Sequence, residues 1–358
     1  MRTLHVIARM NLGGTARYVG RLVAHDSDAL LATGYVQGAE KEDDVTQNLK
    51  IVRVPHMGRK ISPINDFRAY FELRKIVKDF NPEIVHSHTF KAGLLARLVP
   101  GKFARVHTFH GHLFEDQSFS SFDTFLITWA ERFLARRCDV LISVGKRVGE
   151  ELRAVGVGPK KKWLSIPPGV DALAKMDKSE ARKVLGLPND GVIIGWMARV
   201  TSVKNPFLAL EVAVQLPETL FVIAGGGDLL SAVSASAPPN VKVIGWADAS
   251  AMWSAVDMVL STSDNEGMPI ALIEAQLMGL PVVATDVGSN EEVIENGYTG
   301  FVVAKDRDLL VTALMQLIND RRLREAMGAS ARERSSQHFS VDGMLVSHDE
   351  LYQSFRRA

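Results

Sequence analysis

The chain has 358 residues, 46% of them apolar, a mean hydropathy near zero and a net charge of +1. That length supports two core-forming domains, and the composition is that of a globular protein, not a disordered or fibrous one. A single cysteine, Cys138, excludes a disulfide framework and every multi-cysteine metal site, and fits a reducing compartment.

In chain order, the first strand-like run is LHVIA (4–8), with no signal-type hydrophobic region before it. No run of about 18 apolar residues follows anywhere, so the expected location is cytoplasmic, at most at the inner face of a membrane. Further strand patterns lie at 30–36, 51–55, 84–88, 105–110 and 140–145, with helical patterns between them, notably 66–80 and 121–137. The stretch SIPPGVD (165–171) reads as a linker, two prolines and a glycine between periodic segments. The rhythm then restarts, with strands at 192–198, 220–226, 241–246, 258–262, 281–285 and 300–303. SASAPP (234–239) reads as a surface loop, and 318–336 and 341–355 read as closing helices. Continuous Val/Ile runs between helices indicate buried parallel strands, so each half reads as a doubly wound α/β domain. The expected division is 1–167 and 168–339, with a terminal helix at about 340–358 packing back on the first domain.

Charge is divided unevenly. Residues 1–168 carry 26 Lys and Arg against 17 Asp and Glu, and residues 169–358 carry 16 against 24. A basic first half suits an anionic surface or a phosphate-bearing partner, the RKIVK (74–78) and KKK (160–162) runs included.

Open parallel sheets bind ligands beyond the carboxyl ends of their strands, and the unusual residues cluster there. In NEGMPIALIEAQLMGLPVVATD (265–286), Pro269 falls in the first turn of a helix and Gly279 stops it. At 100° per residue, Glu274 lies inside the apolar face with Ile270, Ile273 and Leu277. Carboxylates are rarely buried there without a partner, so Glu274 is read as an acceptor for ligand hydroxyls. Glu266 follows a strand, Gly267 lets backbone approach a ligand, and the helix start at Met268–Ile270 offers amides to an anion. Hydroxyl acceptors beside phosphate-binding amides describe a sugar-nucleotide site.

With those residues in view, Glu266-x7-Glu274 resembles the E-x7-E signature of retaining glycosyltransferases of family 4. The likeness runs nearly the whole length: NLGGTARYVGRLV (11–23), EIVHSHTFKAGLLARL, RVHTFHGH, IPPGVD and GWMARVTSVKNP resemble that family's segments in order. It implies the GT-B architecture, two Rossmann-like domains facing across a cleft. It further implies that Arg199 and Lys204 clamp the donor diphosphate, that Gly13 and Gly14 lie against phosphate and sugar, and that His110 lines the site near sugar and acceptor. Gly226, in AGGGD (224–228), and Trp246 would border the nucleotide; Trp246 could equally belong to the core. AGGGD lacks the spacing of a dinucleotide fingerprint, which argues against NAD.

Ten histidines invite a metal reading, with His86 and His88 on one strand face and His107, His110 and His112 after another. No H-E-x-x-H and no second cysteine accompany them, so no zinc site and no other cofactor is expected. The implied reaction is retaining transfer of a sugar from a nucleotide donor, UDP rather than GDP, to an acceptor hydroxyl in polysaccharide or glycolipid synthesis. Catalysis would rest on Glu266, His110, Arg199 and Lys204, with no metal and no protein nucleophile. A non-hydrolysing sugar-nucleotide 2-epimerase and a non-catalytic sugar-nucleotide sensor are the alternatives. A sugar or lipid-linked acceptor and a membrane surface are the expected partners; nucleic acid is not.

Overall fold

The chain folds into two α/β units. In the computed structural model, which describes residues 1–37, 41–58, 62–111 and 121–356, one unit comprises Met1–Gly169 with Val341–Ala358 and the other Val170–Ser340. The first unit runs β1 (Thr3–Ile7), α1 (Gly14–His25), β2 (Leu30–Thr33), β3 (Ile51–Arg53), α2 (Pro63–Phe80), β4 (Ile84–His88), α3 (Phe90–Leu98) and β5 (Ala104–Phe109). It continues through α4 (Ser121–Ala135), β6 (Val140–Ser143), α5 (Lys146–Ala154) and β7 (Lys162–Ser165). The second runs α6 (Lys178–Val184), β8 (Ile193–Met197), α7 (Pro206–Val214), β9 (Leu220–Ala224), α8 (Leu230–Ser236), β10 (Val241–Gly245) and α9 (Ala249–Ala255). Its remainder is β11 (Met258–Ser261), α10 (Ile270–Leu277), β12 (Val282–Thr285), α11 (Asn290–Val293), β13 (Gly300–Val303), α12 (Arg307–Asn319) and α13 (Arg321–His338). The chain then adds α14 (Val341–Ser354) to the first unit.

Every named strand pairs parallel to its neighbours. The orders are β3-β2-β1-β4-β5-β6-β7 and β10-β9-β8-β11-β12-β13. The strand order of each sheet therefore reverses once, between β1 and β4 and between β8 and β11. Crevices for ligands open at such points, outside the strands' carboxyl ends.

The two faces of the first sheet differ because side chains alternate along a strand. Leu4, Val6 and Val85 join Ala69 and Leu73 of α2 and Ala92 of α3 in an apolar core. His5, His86 and His88 point the other way, where α1 and α14 pack together. The second sheet is apolar on both faces, with Val222, Val259 and Val282 in one core and Ile194, Ile223 and Leu260 in the other.

Several local expectations change. β7 is an addition: KWLS lies at a sheet edge with Lys162 and Ser165 exposed and only Trp163 and Leu164 half-buried between them, so it lacks the continuous apolar run of its neighbours. β2 stops at Thr33, short of 36, and α4 stops at Ala135, short of 137. Ser234–Ser236 of SASAPP close α8 instead of forming a loop; the prolines at 238 and 239 follow the helix end. Residues 318–336 hold a break, Asp320, which ends α12 and caps α13 through Leu323 N–H. Gly14 opens α1 with Gly13 as its cap, and Pro269 is the cap before α10.

Candidate active site

In the second unit the site grows from the loops after β8 and β11. The first loop, Ala198–Asn205, carries Arg199, exposed, and Lys204, half-buried. The second, Thr262–Pro269, carries Glu266. Hydrogen bonds join the two loops: Asp264 N–H donates to Val203 O (2.9 Å), Thr262 Oγ1 to Asn205 O (2.8 Å), and Asn205 Nδ2 to Asp264 Oδ1 (3.1 Å). Trp196 anchors them from β8, donating Nε1–H to Thr262 Oγ1 at 3.0 Å. Asn205 adopts a left-handed conformation (φ 45°) and caps α7 by accepting from Leu208 N–H. Short polar side chains tolerate that conformation, which turns the chain sharply after Lys204.

The stitching brings Lys204 Nζ to 2.6 Å from Glu266 Oε1. The same oxygen accepts from Ser263 Oγ at 2.7 Å. An ammonium has three donors, so one bond to Glu266 leaves it able to address a phosphate oxygen as well. Glu266 is fixed from behind: a Cβ on Gly288 (φ +48°) would lie 1.7 Å from Glu266 O, so only glycine lets that loop press against the glutamate backbone.

Glu274 is 7% exposed, in a stretch of α10 from Leu272 to Gln276 that is buried all round, while Ile270 and Leu277 are only half-buried. Trp253 Nε1–H reaches its Oε2 at 3.5 Å, a long contact. Its helix neighbour Gln276 is a useful contrast. Gln276 donates to Thr299 Oγ1 (3.0 Å) and accepts from Ser335 Oγ (2.8 Å), so its polarity ties α10 to α13 and the segment before β13. Gly279 (φ 82°) ends the helix in a Schellman motif, with Leu280 N–H on Ala275 O and Gly279 N–H on Gln276 O. The loops after β9 and β10 bring Gly226 and Trp246 together: a Cβ on Gly226 would lie 2.2 Å from Trp246 Nε1. Trp246 is 72% exposed, which removes the core reading of that residue.

In the first unit, Gly13 (φ 148°) and Gly14 lead from β1 into α1, and no side chain caps that helix. His110 follows β5, half-buried. Behind it stands a histidine interior that the strand registers create, since His5 pairs with His86 and His88 with Thr108. His110 Nε2 lies 3.2 Å from His88 Nδ1, and His88 Nε2 lies 3.2 Å from His5 Nδ1. His86 uses both nitrogens, on Tyr352 Oη (2.6 Å) and Thr108 Oγ1 (2.7 Å). Tyr18 Oη meets His348 Nε2 at 3.0 Å, and the Tyr18 ring stands edge-on to His110 at 4.9 Å. Burial, with His348 next, pushes His5 and His110 down to about 3; burial takes His348 to about 4. Burial and then the neighbouring imidazoles hold His86 and His88 well below the usual range. These groups are neutral at pH 7, so His110 can exchange hydrogen bonds but brings no positive charge. Among the described residues, His5, His86 and His88 are the one trio with nitrogens close enough for a metal (within 4.8 Å), but the bonds above already engage His86 on both sides. His112 lies outside the described residues.

Tyr18, His348, Tyr352 and Ser263 complete these arrangements and were not singled out in the sequence. Tyr18 sits at an ordinary apolar helix position, and His348 lies 238 residues after His110. Only the three-dimensional placement of α14 joins them.

Comparison with known proteins identifies the chain. A model described as Glycosyltransferase Family 4 matches residues 12–172, and one described as Glycosyl transferases group 1 matches residues 177–334. The chain belongs to the family-4 glycosyltransferases. This glycosyltransferase is 29% identical over 334 residues to the Escherichia coli UDP-Gal:alpha-D-GlcNAc-diphosphoundecaprenol alpha-1,3-galactosyltransferase, covering 87% of this chain and 85% of that one. Sucrose-phosphate synthase from Thermosynechococcus elongatus aligns with it at a TM-score of 0.87 and 18% identity, over 100% of both chains. Anabaena HepE, in a complex with UDP and glucose, aligns at 0.83 and 17% identity over 99% of this chain and 100% of that one. The fold is GT-B, and the enzyme is a glycosyltransferase.

Proposed function

We propose that the enzyme transfers a sugar, with retention of anomeric configuration, from a UDP-sugar to a hydroxyl of a lipid-linked saccharide in surface polysaccharide or glycolipid synthesis. The observation that carries this reading is the convergence of Lys204 and Glu266 at the reversal point of the second sheet, with Glu274 buried on the helix that follows. The E. coli relative's name specifies a UDP-sugar and a diphosphoundecaprenol acceptor, and the HepE title specifies UDP, which supports the choice of base and acceptor.

In this reading Glu274 accepts from the ribose hydroxyls and Glu266 from hydroxyls of the transferred sugar. Arg199 and Lys204 take the diphosphate, with the backbone N–H groups of Gly267, Met268 and Ile270 beside them, and Gly226 and Trp246 border the base. Gly13, Gly14 and His110 serve sugar and acceptor. The bond from the anomeric carbon to the diphosphate oxygen breaks as the acceptor oxygen bonds that carbon from the same face. The acceptor's proton passes to the departing diphosphate. No protein nucleophile is required; positioning and neutralisation of the leaving group's charge supply the rate. Cationic side chains do that work, so no metal is assigned to the reaction and activity should survive EDTA.

The test is a panel of UDP- and GDP-sugars with an undecaprenyl diphosphate-linked acceptor, the product's anomeric configuration being read by NMR. An α-configured UDP-hexose should yield an α-linked product. A β-linked product rules out retention, a GDP-sugar preference rules out UDP, and acceptor-independent inversion at C2 points to an epimerase.

A further inference from the structure

Helices α2 and α4 are apolar on more than the side they bury. Each buries an apolar side, Ala69, Leu73 and Val77 in α2 and Ile127 and Leu134 in α4. Each also presents a second apolar stripe outward. In α2 it is Ile64, Phe67 and Phe71; in α4 it is Phe125, Leu126, Trp129 and Phe133. Spacings of three and four residues align each set on one side of its helix. Phe67 is 65% exposed and Trp129 61%, and the rings gather on the surface, Phe67 on Phe71 at 4.8 Å and Trp129 on Phe133 at 6.2 Å.

Both helices pack on α3. Ion pairs hold them there: Lys91 to Asp66 of α2 (2.6 Å), and Arg97 to Glu131 of α4 through two bonds (2.7 and 2.8 Å). The two stripes thus belong to one helical layer, with Arg68 beside the first. Each helix turns basic at its C-terminal end, with Arg74, Lys75 and Lys78 in α2 and Arg132, Arg136 and Arg137 in and after α4; the exposed acids are Asp79, Asp123 and, after Arg137, Asp139. At the basic end of α2, an open groove of about 600 Å³ is lined by Phe71, Arg74, Lys75, Lys78, Lys102 and Phe103. Aromatic walls around clustered cations suit a phosphate carried on an acyl chain.

We propose that the outward faces of α2 and α4 dock on a bilayer containing anionic phospholipid, the aromatic stripes entering the interface and the groove cations meeting lipid phosphates. Aromatic rings favour the interfacial zone, and basic side chains are attracted to its negative potential. A second copy of the chain is a poorer occupant, because self-association would press these cations against their equivalents. The surface does not depend on the donor assignment, which concerns the other unit.

The test is co-sedimentation of the full chain with vesicles of phosphatidylcholine, with and without phosphatidylglycerol. Anionic vesicles should bind at least tenfold better than neutral ones, and added salt should weaken the binding. Phe67→Ser with Phe71→Ser, Trp129→Ser with Phe133→Ser, and Lys75→Glu with Lys78→Glu should each lower it about tenfold with the thermal midpoint unchanged. All six side chains face outward; if one pair impairs folding, the other two still decide. Brominated lipid should quench tryptophan fluorescence in the parent and far less in Trp129→Phe. Equal binding to neutral and anionic vesicles overturns the proposal, as do variants that bind like the parent. Concentration-dependent dimers abolished by the same substitutions, without vesicle binding, assign the surface to a second copy and also overturn it. UDP affinity should be the same in parent and variants, which separates this result from the donor reading.

Discussion

The two units share a doubly wound plan, but they solve opposite problems around the strands where the sheet order reverses. The second unit holds charge: a Lys204–Glu266 pair in reach of solvent, an exposed Arg199 and a buried carboxylate, Glu274. The first holds neutral rings, five histidines and two tyrosines joined by hydrogen bonds and ring contacts. Strand alternation explains why neither arrangement disrupts the sheet, since His5, His86 and His88 all occupy one face and the other stays apolar. The lesson is that a buried polar cluster can be kept by neutralisation, whereas residues meant for phosphate must stay charged and therefore near water.

The sharpest way to break the comparison is acid. The folded pKa values of His5, His86, His88, His107, His110 and His348 all lie below the unfolded value near 6.5. Between those values the unfolded chain binds more protons than the folded one. Stability is therefore complete above about pH 6.5 and falls as pH drops towards 4. Each histidine adds a slope of about 1.4 kcal/mol per pH unit once the unfolded form is fully protonated, so six give on the order of 8. Hydrogen exchange at pH 7 and pH 5 should show β4 and β5 losing protection well before β8 and β11. Equal loss in both units would remove the distinction drawn here.

The charged unit is tested next by Lys204→Ala. Removing one donor to charge that develops on the leaving group should lower kcat by about 10²–10³-fold. Glu266 would also lose its cation. Lys204→Arg should restore part of the rate if charge is the requirement, and a variant with parental kcat would detach Lys204 from the chemistry.

How much of this was legible beforehand follows from where the information resides. Twelve of the thirteen strands announce themselves as short apolar runs; β7 does not, because an edge strand with exposed Lys162 and Ser165 carries no such run. The position of Glu274 was readable because helical periodicity is local. The Lys204–Glu266 pair was not: its members are 62 residues apart, and they meet because β8 and β11 are adjacent in the sheet order. The histidine interior was half legible, since the alternation of His86 and His88 shows a shared face while the contributions of Tyr18, His348 and Tyr352 depend on α14 packing beside α1.

The two glutamates should separate in solution. Glu274→Gln keeps the shape and removes a charged acceptor, so UDP affinity measured by calorimetry should fall by about 1.5–3 kcal/mol. Glu266→Gln should leave free UDP affinity intact, because UDP carries no sugar, while turnover of the complete donor falls. Parental UDP binding by Glu274→Gln would withdraw the ribose assignment and leave its burial against Trp253 as a purely structural contact.

The smallest effect concerns the edge where Gly226 meets Trp246. A methyl group at residue 226 would collide with the indole nitrogen edge, but that indole is mostly exposed and can swing away. Gly226→Ala should therefore cost little stability, within about 0.5 kcal/mol as for other surface changes. Gly288→Ala makes the opposite control, since its methyl would meet the Glu266 backbone, which cannot yield, at a left-handed φ. If Trp246 borders the base, displacing it by Gly226→Ala should weaken UDP binding about three- to tenfold, the scale of part of one stacking contact. Trp246→Ala should produce a similar loss, and the double variant should add nothing further, because both changes act through one side chain. Unchanged UDP affinity in all three would place the indole outside the nucleotide site, and a double variant weaker than either single one would give Gly226 a contact of its own.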